Sequence, residues 1–61
     1  MYIMTLDSIS EDYDDLDQAM HDCFNIFPNA SFSEWQETVT ETWLDIINND
    51  IVVGKIFEVP T

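Results

Sequence analysis

Apolar side chains recur along this chain at two different periods. Tyr2 to Leu6 (Tyr-Ile-Met-Thr-Leu) is rich in strand formers and predicts a short strand. Beyond it the spacing changes. Tyr13, Leu16, Met20, Cys23, Phe24 and Phe27 follow at intervals of 3, 4, 3, 1 and 3, which lays one stripe along a helix. Ser8 with Glu11 has the spacing of a capping box at its start, and Ser10 or Asp12 are alternative caps. Pro28 disfavours helical backbone at Phe27 and closes the element.

Pro28-Asn29-Ala30 reads as a turn, and Ser31 with Glu34 forms a second capping-box spacing. Phe32, Trp35, Val39, Trp43, Ile46 and Ile47 then share a face of about 120° at a helical rotation of 100° per residue. This predicts a second helix, ended by Asn48-Asn49-Asp50. Ile51 to Val59 is β-branched and aromatic, with Gly54 as a bulge candidate, and predicts a strand that Pro60 stops. The expected architecture is therefore α+β: a single small β-α-α-β domain over residues 1–61, with two amphipathic helices packed on a short sheet.

Charge changes the picture most. Thirteen carboxylates stand against one Lys or Arg, Lys55, for a formal charge of −12 with His21 neutral. Solubility requires a net charge of only about 2 to 8, and the excess works against a compact state. The imbalance points to a positively charged partner. Phosphate backbones and anionic membrane surfaces both repel such a chain, so direct binding to nucleic acid or lipid is not expected.

On the expected second helix, Glu34, Glu37, Glu41 and Asp45 fall within about 80° of one another, opposite the apolar stripe. On the first, Glu11, Asp15 and Asp22 lie together, flanked by Asp12, Asp14 and Asp17. Helical residues four apart rise about 6 Å, close to the phosphate spacing along a nucleic-acid strand. Such rows of carboxylates accept paired hydrogen bonds from arginine. Neither helix carries a Lys or Arg at i+4, and the like-charge pairs Glu37–Glu41, Glu41–Asp45 and Glu11–Asp15 each cost a few tenths of a kcal/mol.

Other chemistry is thinly represented. Asp12-Tyr-Asp14-Asp15-Leu-Asp17 lacks the glycine of an EF-hand loop, so no calcium site is expected. His21 and Cys23 are too few for a zinc site, and two residues apart on a helix they cannot form a nucleophile pair. No metal, no cofactor and no catalytic residue is assigned, and an enzyme is not expected. One cysteine permits no internal disulfide, which fits a reducing compartment. No signal-peptide pattern and no stretch near the ~18 apolar residues of a membrane span is seen, so a cytoplasmic protein is expected. Two Trp, two Tyr and four Phe exceed what so few elements bury easily; Tyr2, Phe57, Trp43 and Leu44 are candidates for an exposed anchor. The small size makes a homodimer, joined through edge strands, a fair expectation.

Asp7-Ser8-Ile9, between a short strand and an acidic amphipathic segment, resembles the Glu-Ser-Ile segment of phage-encoded uracil-DNA glycosylase inhibitors. The match covers about a dozen residues, with Asp where that family has Glu. Members are small acidic DNA mimics that occupy the enzyme's DNA groove and sequester one of its apolar side chains in a pocket. The resemblance implies that Asp7 and Ser8 approach the enzyme's cleft, and that Met4, Met20 or Phe24 wall such a pocket. The expected function is a DNA-mimicking inhibitor of a basic DNA-binding enzyme in a phage-infected or mobile-element-bearing bacterium. Open alternatives are an immunity protein against a basic nuclease toxin, an anti-CRISPR or anti-restriction inhibitor, and a structural oligomer kept soluble by its acids.

Overall fold

The structure, a computed structural model, describes residues 1–60. The described elements run β1 (Tyr2–Leu6), β2 (Ile9–Tyr13), α1 (Leu16–Ile26), β3 (Ser31–Phe32), β4 (Gln36–Glu37), β5 (Thr42–Asn48) and β6 (Ile51–Glu58). The strands form one antiparallel sheet ordered β2-β1-β6-β5-β3, with β4 also paired to β5. The β-α-α-β fold with two helices is therefore overturned: among the described residues there is one helix, packed on a mostly antiparallel sheet.

Two segments account for the difference. The first is Ile9–Tyr13, expected at the head of a helix, which instead folds back as β2. Asp7-Ser8 makes the two-residue turn, with Leu6 paired to Ile9 and Asp7 at φ 51°. Asp tolerates that left-handed backbone better than most residues because its short side chain bonds locally. The helix then starts about two turns later than the capping box at Ser8 suggests. Asp15 is the cap, its side chain accepting from the Asp17 N–H at 3.0 Å.

The second is 31–48, where β3, β4 and β5 replace the expected second helix. Its apolar positions satisfy a period of 2 as well as 3.6. Leu44 and Ile46 point into the core, while Trp43 and Asp45 alternate to the opposite face. Thr38, Val39, Thr40, Thr42, Ile46 and Ile47 are β-branched and lose side-chain freedom in a helix. Val39, placed mid-stripe by the helical reading, is fully exposed in the β4–β5 loop. Asn49-Asp50 ends no helix but turns β5 into β6, with positive φ at both residues (54° and 63°), the type I′ pattern of a two-residue hairpin.

Tyr2–Leu6 is the expected strand, and Ile51–Glu58 matches the expected one to within a residue at its end. The irregularity near Gly54 is also present: between Ile46 and Ile47 the register shifts, leaving Val53 as the extra residue. Gly54 itself is required by close approach. A Cβ there collides with the Thr5 carbonyl oxygen and comes within 2.6 Å of Leu6 Cδ2.

One face of the sheet meets α1. Met4, Leu6, Leu44, Ile46 and Ile56 close over Ala19 and Cys23, with Leu16, Met20, Phe27 and Phe32 packed around them. Burying each large aliphatic contributes roughly 1.5–3 kcal/mol. At the end of the sheet near Tyr2, that tyrosine lies against Trp35, ring centroids 6.4 Å apart. Leu44, a candidate exposed anchor, is thus in the core.

Candidate partner-binding surface

Eleven of the thirteen carboxylates gather at the two edges of the sheet, while Asp50 is in the β5–β6 turn and Glu58 on the central strand. Asp7 in the first turn, Glu11 and Asp12 on β2, Asp14 and Asp15 before the helix, and Asp17 and Asp22 on α1 form one group. Glu34, Glu37, Glu41 and Asp45 belong to the β3–β5 edge, with Glu58 at the end of β6. From β2 to β4 the sheet crosses four strand spacings, about 19 Å. Only Asp22 and Asp45 are even partly buried.

The helical rows are corrected by this arrangement. Glu34, Glu37, Glu41 and Asp45 are not stacked on a helix; they follow a loop, a two-residue strand, a second loop and β5. Asp45 is held in place twice over. Its carboxylate accepts from Gln36 Nε2 at 2.8 Å, and its backbone N–H donates to Ser33 Oγ at 2.8 Å. Of the other row, Asp15 and Asp22 remain on or at the helix, while Glu11 belongs to β2.

Glu11 and Asp22 are nonetheless brought together, by Tyr13. Its hydroxyl lies 2.9 Å from Glu11 Oε2 and 2.8 Å from Asp22 Oδ2. A phenol has one proton to give, so two acids share one donor. Partial burial first, and then the two acceptors and their negative charge, push the Tyr13 hydroxyl well above the usual tyrosine range. The sequence gives no signal for this bridge, because residues 11, 13 and 22 share a face only when β2 is a strand.

Beside the bridge lies a cleft of about 230 Å³ between β2 and α1. Met4, Ile9 and Ile26 form its apolar floor and sides, and Glu11, Asp22 and Asn25 its polar rim. Ile9 and Ile26 are both about half exposed (49%). Of Met4, Met20 and Phe24, expected to wall an apolar pocket, only Met4 lines this cleft. Met4 reaches the cleft from the core, Met20 packs inward, and Phe24 turns away to meet Phe32 edge-on at 5.4 Å.

Asp7 and Ser8, both exposed, sit at the tip of the β1–β2 turn. The surface from this turn along β2 to α1 therefore combines an acid ridge with a small apolar recess. No lysine or arginine lies in it. Among the described residues, no cluster of three or more His, Cys, Asp or Glu is arranged to hold a metal ion, and no helix is long and apolar enough to cross a membrane. No family model matches the chain, and neither a curated protein nor a solved structure is similar to it.

Proposed function

We propose that this protein is an acidic inhibitor that docks in the cationic groove of a DNA-binding enzyme and imitates the charge of DNA, with uracil-DNA glycosylase as the first target to test. The observation that carries this reading is the uncompensated ridge of Asp7, Glu11, Asp12, Asp14, Asp15 and Asp22 beside the apolar cleft at Ile9 and Ile26. A groove lined by Arg and Lys loses its hydration to carboxylates as it does to phosphates, and arginine accepts either in a paired geometry. The cleft takes an apolar side chain of the enzyme. The ridge steers association and the recess fixes register. The second acid group, about 19 Å away across the sheet, extends the negative surface toward a second wall of the groove.

The test is inhibition of purified uracil-DNA glycosylase, alongside a restriction endonuclease and a CRISPR nuclease, at several salt concentrations. The expected result is inhibition of one of them that weakens as salt rises. The triple variant Asp7→Asn, Asp12→Asn, Asp15→Asn keeps a competent helix cap, since Asn caps as well as Asp. It should lose at least about tenfold in affinity, or ~1.4 kcal/mol. Full inhibition by that variant, or inhibition of none of the enzymes, removes the proposal.

A further inference from the structure

β2 ends the sheet, and its outer backbone is free to take another strand. Its five residues pair with β1 in an unbroken register, and none is Pro or Gly. The opposite edge offers no such template, being broken into the two-residue strands β3 and β4. The direction of the hydrogen bonds follows from the start of the chain. The Met1 carbonyl accepts from the Val59 N–H at 2.9 Å, so odd-numbered residues of β1 bond β6 and even-numbered ones bond β2. Tyr2, Met4 and Leu6 therefore engage the backbone groups of Tyr13, Glu11 and Ile9. Those of Ser10 and Asp12, both exposed, face outward.

We propose that β2 receives an extended basic segment of the partner protein as an additional antiparallel strand, bonded to the backbone of Ser10 and Asp12. This docking mode rests on the reading above for the positive charge of the partner, and adds how that partner is held. Charge selects the occupant. Asp7, Glu11, Asp12, Asp14 and Asp15 lie on or beside this strand, and the one lysine of the chain is two strands away on β6. A second copy is disfavoured, because pairing β2 with itself about its centre sets Glu11 on Glu11. The acids that keep like edges apart attract a strand of opposite sign.

Register gives the incoming segment a pattern. Residues directly opposite on neighbouring strands stand about 5 Å apart on one face of the sheet. Glu11 pairs with buried Met4, so Ile9 and Glu11 are on the α1 face and Asp12 is on the other. The segment accordingly carries a basic residue opposite Asp12, another opposite Glu11 and an apolar one opposite Ile9. Glu11 shares the Tyr13 proton with Asp22 and keeps acceptor capacity for a cation. The apolar residue stands beside the cleft at Ile9 and Ile26.

The capped peptide Thr-Thr-Arg-Lys-Thr-Val-Thr has this pattern, with Arg opposite Asp12 and Val opposite Ile9. Titrated into the isotope-labelled full chain at ~0.05 M NaCl, it should bind with a Kd at or below ~1 mM. Amide exchange should slow at Ser10 and Asp12, whose N–H groups become bonded. The same peptide N-methylated at the two residues facing Ser10 and Asp12 keeps its charge but loses both donors, and should bind at least about tenfold more weakly. Ser10→Pro removes an outward N–H, a place where an edge strand accepts proline, and should weaken binding of the unmodified peptide to a similar degree. The methylated peptide tests the same bonds on unaltered protein. No binding at ~1 mM, unslowed Ser10 and Asp12 amides, or equal binding of the methylated peptide each overturns strand addition. If enzyme inhibition persists in that case, charge mimicry stands without it. Peptide binding by a chain that inhibits none of the enzymes supports strand addition and removes the mimicry reading.

Discussion

Tyr13 on β2 and Asp22 on α1 are joined by a hydroxyl–carboxylate hydrogen bond of 2.8 Å, the bridge between the edge strand and the only described helix. Glu11 accepts from the same hydroxyl at 2.9 Å. Two carboxylates thus depend on one phenolic proton for their relief from mutual repulsion.

That dependence has a pH signature. Burial, followed by the two acceptors, raises the folded-state pKa of Tyr13 above the ordinary value of about 10. A raised pKa means that the protonated form is favoured by folding. Its contribution is complete below pH ~10 and is lost as pH climbs from there toward the folded value. Urea midpoints measured between pH 8 and 12 should fall more steeply above pH ~10 for the wild type than for Tyr13→Phe. In a Tyr2→Phe background, the remaining phenolate absorbance should rise only above the ordinary tyrosine range. A step at about 10 would contradict the bridge.

Gly54 has no room for a methyl group. Gly54→Ala forces β1 and β6 apart, because the added Cβ meets the Thr5 carbonyl oxygen and Leu6 Cδ2. The expected loss is about 1–3 kcal/mol, read as a drop in the denaturation midpoint with the m-value unchanged. An unchanged midpoint would mean that the strands are not in this register.

The β5–β6 turn offers the opposite change. Asp50 holds φ at 63°, a backbone that glycine adopts without cost. Asp50→Gly creates the Asn-Gly pair that type I′ turns favour and should stabilise by about 0.5–1 kcal/mol, raising Tm by several degrees. If residues 31–50 formed a helix ending at Asn48, the same substitution would leave stability nearly unchanged.

Cys23 is wholly buried between α1 and the sheet, and burial pushes its thiol above the usual range. The thiolate is the reactive form, so a thiol reagent should react only through unfolding. In native buffer, labelling should be slow and should accelerate with urea in step with the loss of structure. Rapid native labelling would place Cys23 on the surface.

The capping bond of Asp15 supplies a further check. Asp15→Ala removes the acceptor for the Asp17 N–H and should cost about 1 kcal/mol, whereas Asp15→Asn should cost little. Equal losses for both would make the charge, rather than the cap, the stabilising feature.

Much of the local order is legible in the residues themselves. Tyr2–Leu6 and Ile51–Glu58 carry β-branched and aromatic side chains that fit a pleated, half-buried surface, and Pro28 marks the end of α1. The charge of −12 is likewise a property of composition alone. The segment 31–48 is not legible in this way, since Trp43, Ile46 and Ile47 share a helical face while Leu44 and Ile46 share a strand face, and the pattern alone does not choose between them. The acids weigh against a helix: Glu37, Glu41 and Asp45 repel one another at i+4 without a lysine to relieve them. Taken as a sign of a helical docking row, that repulsion is better understood as a reason why no helix forms there.

The sequence by itself determined how much negative charge this protein carries, which short segments favour strands, and where the helix must stop, because these follow from side-chain and backbone preferences acting over a few residues. Only the tertiary structure decided where that charge stands. Pairing β1 with both β2 and β6 is a choice among distant backbone partners, and no local preference encodes it. That pairing moves Glu11 from a helix to an edge strand, joins it to Asp22 through Tyr13, and leaves Ile3, Phe57 and Trp43 on an open face beside the single lysine.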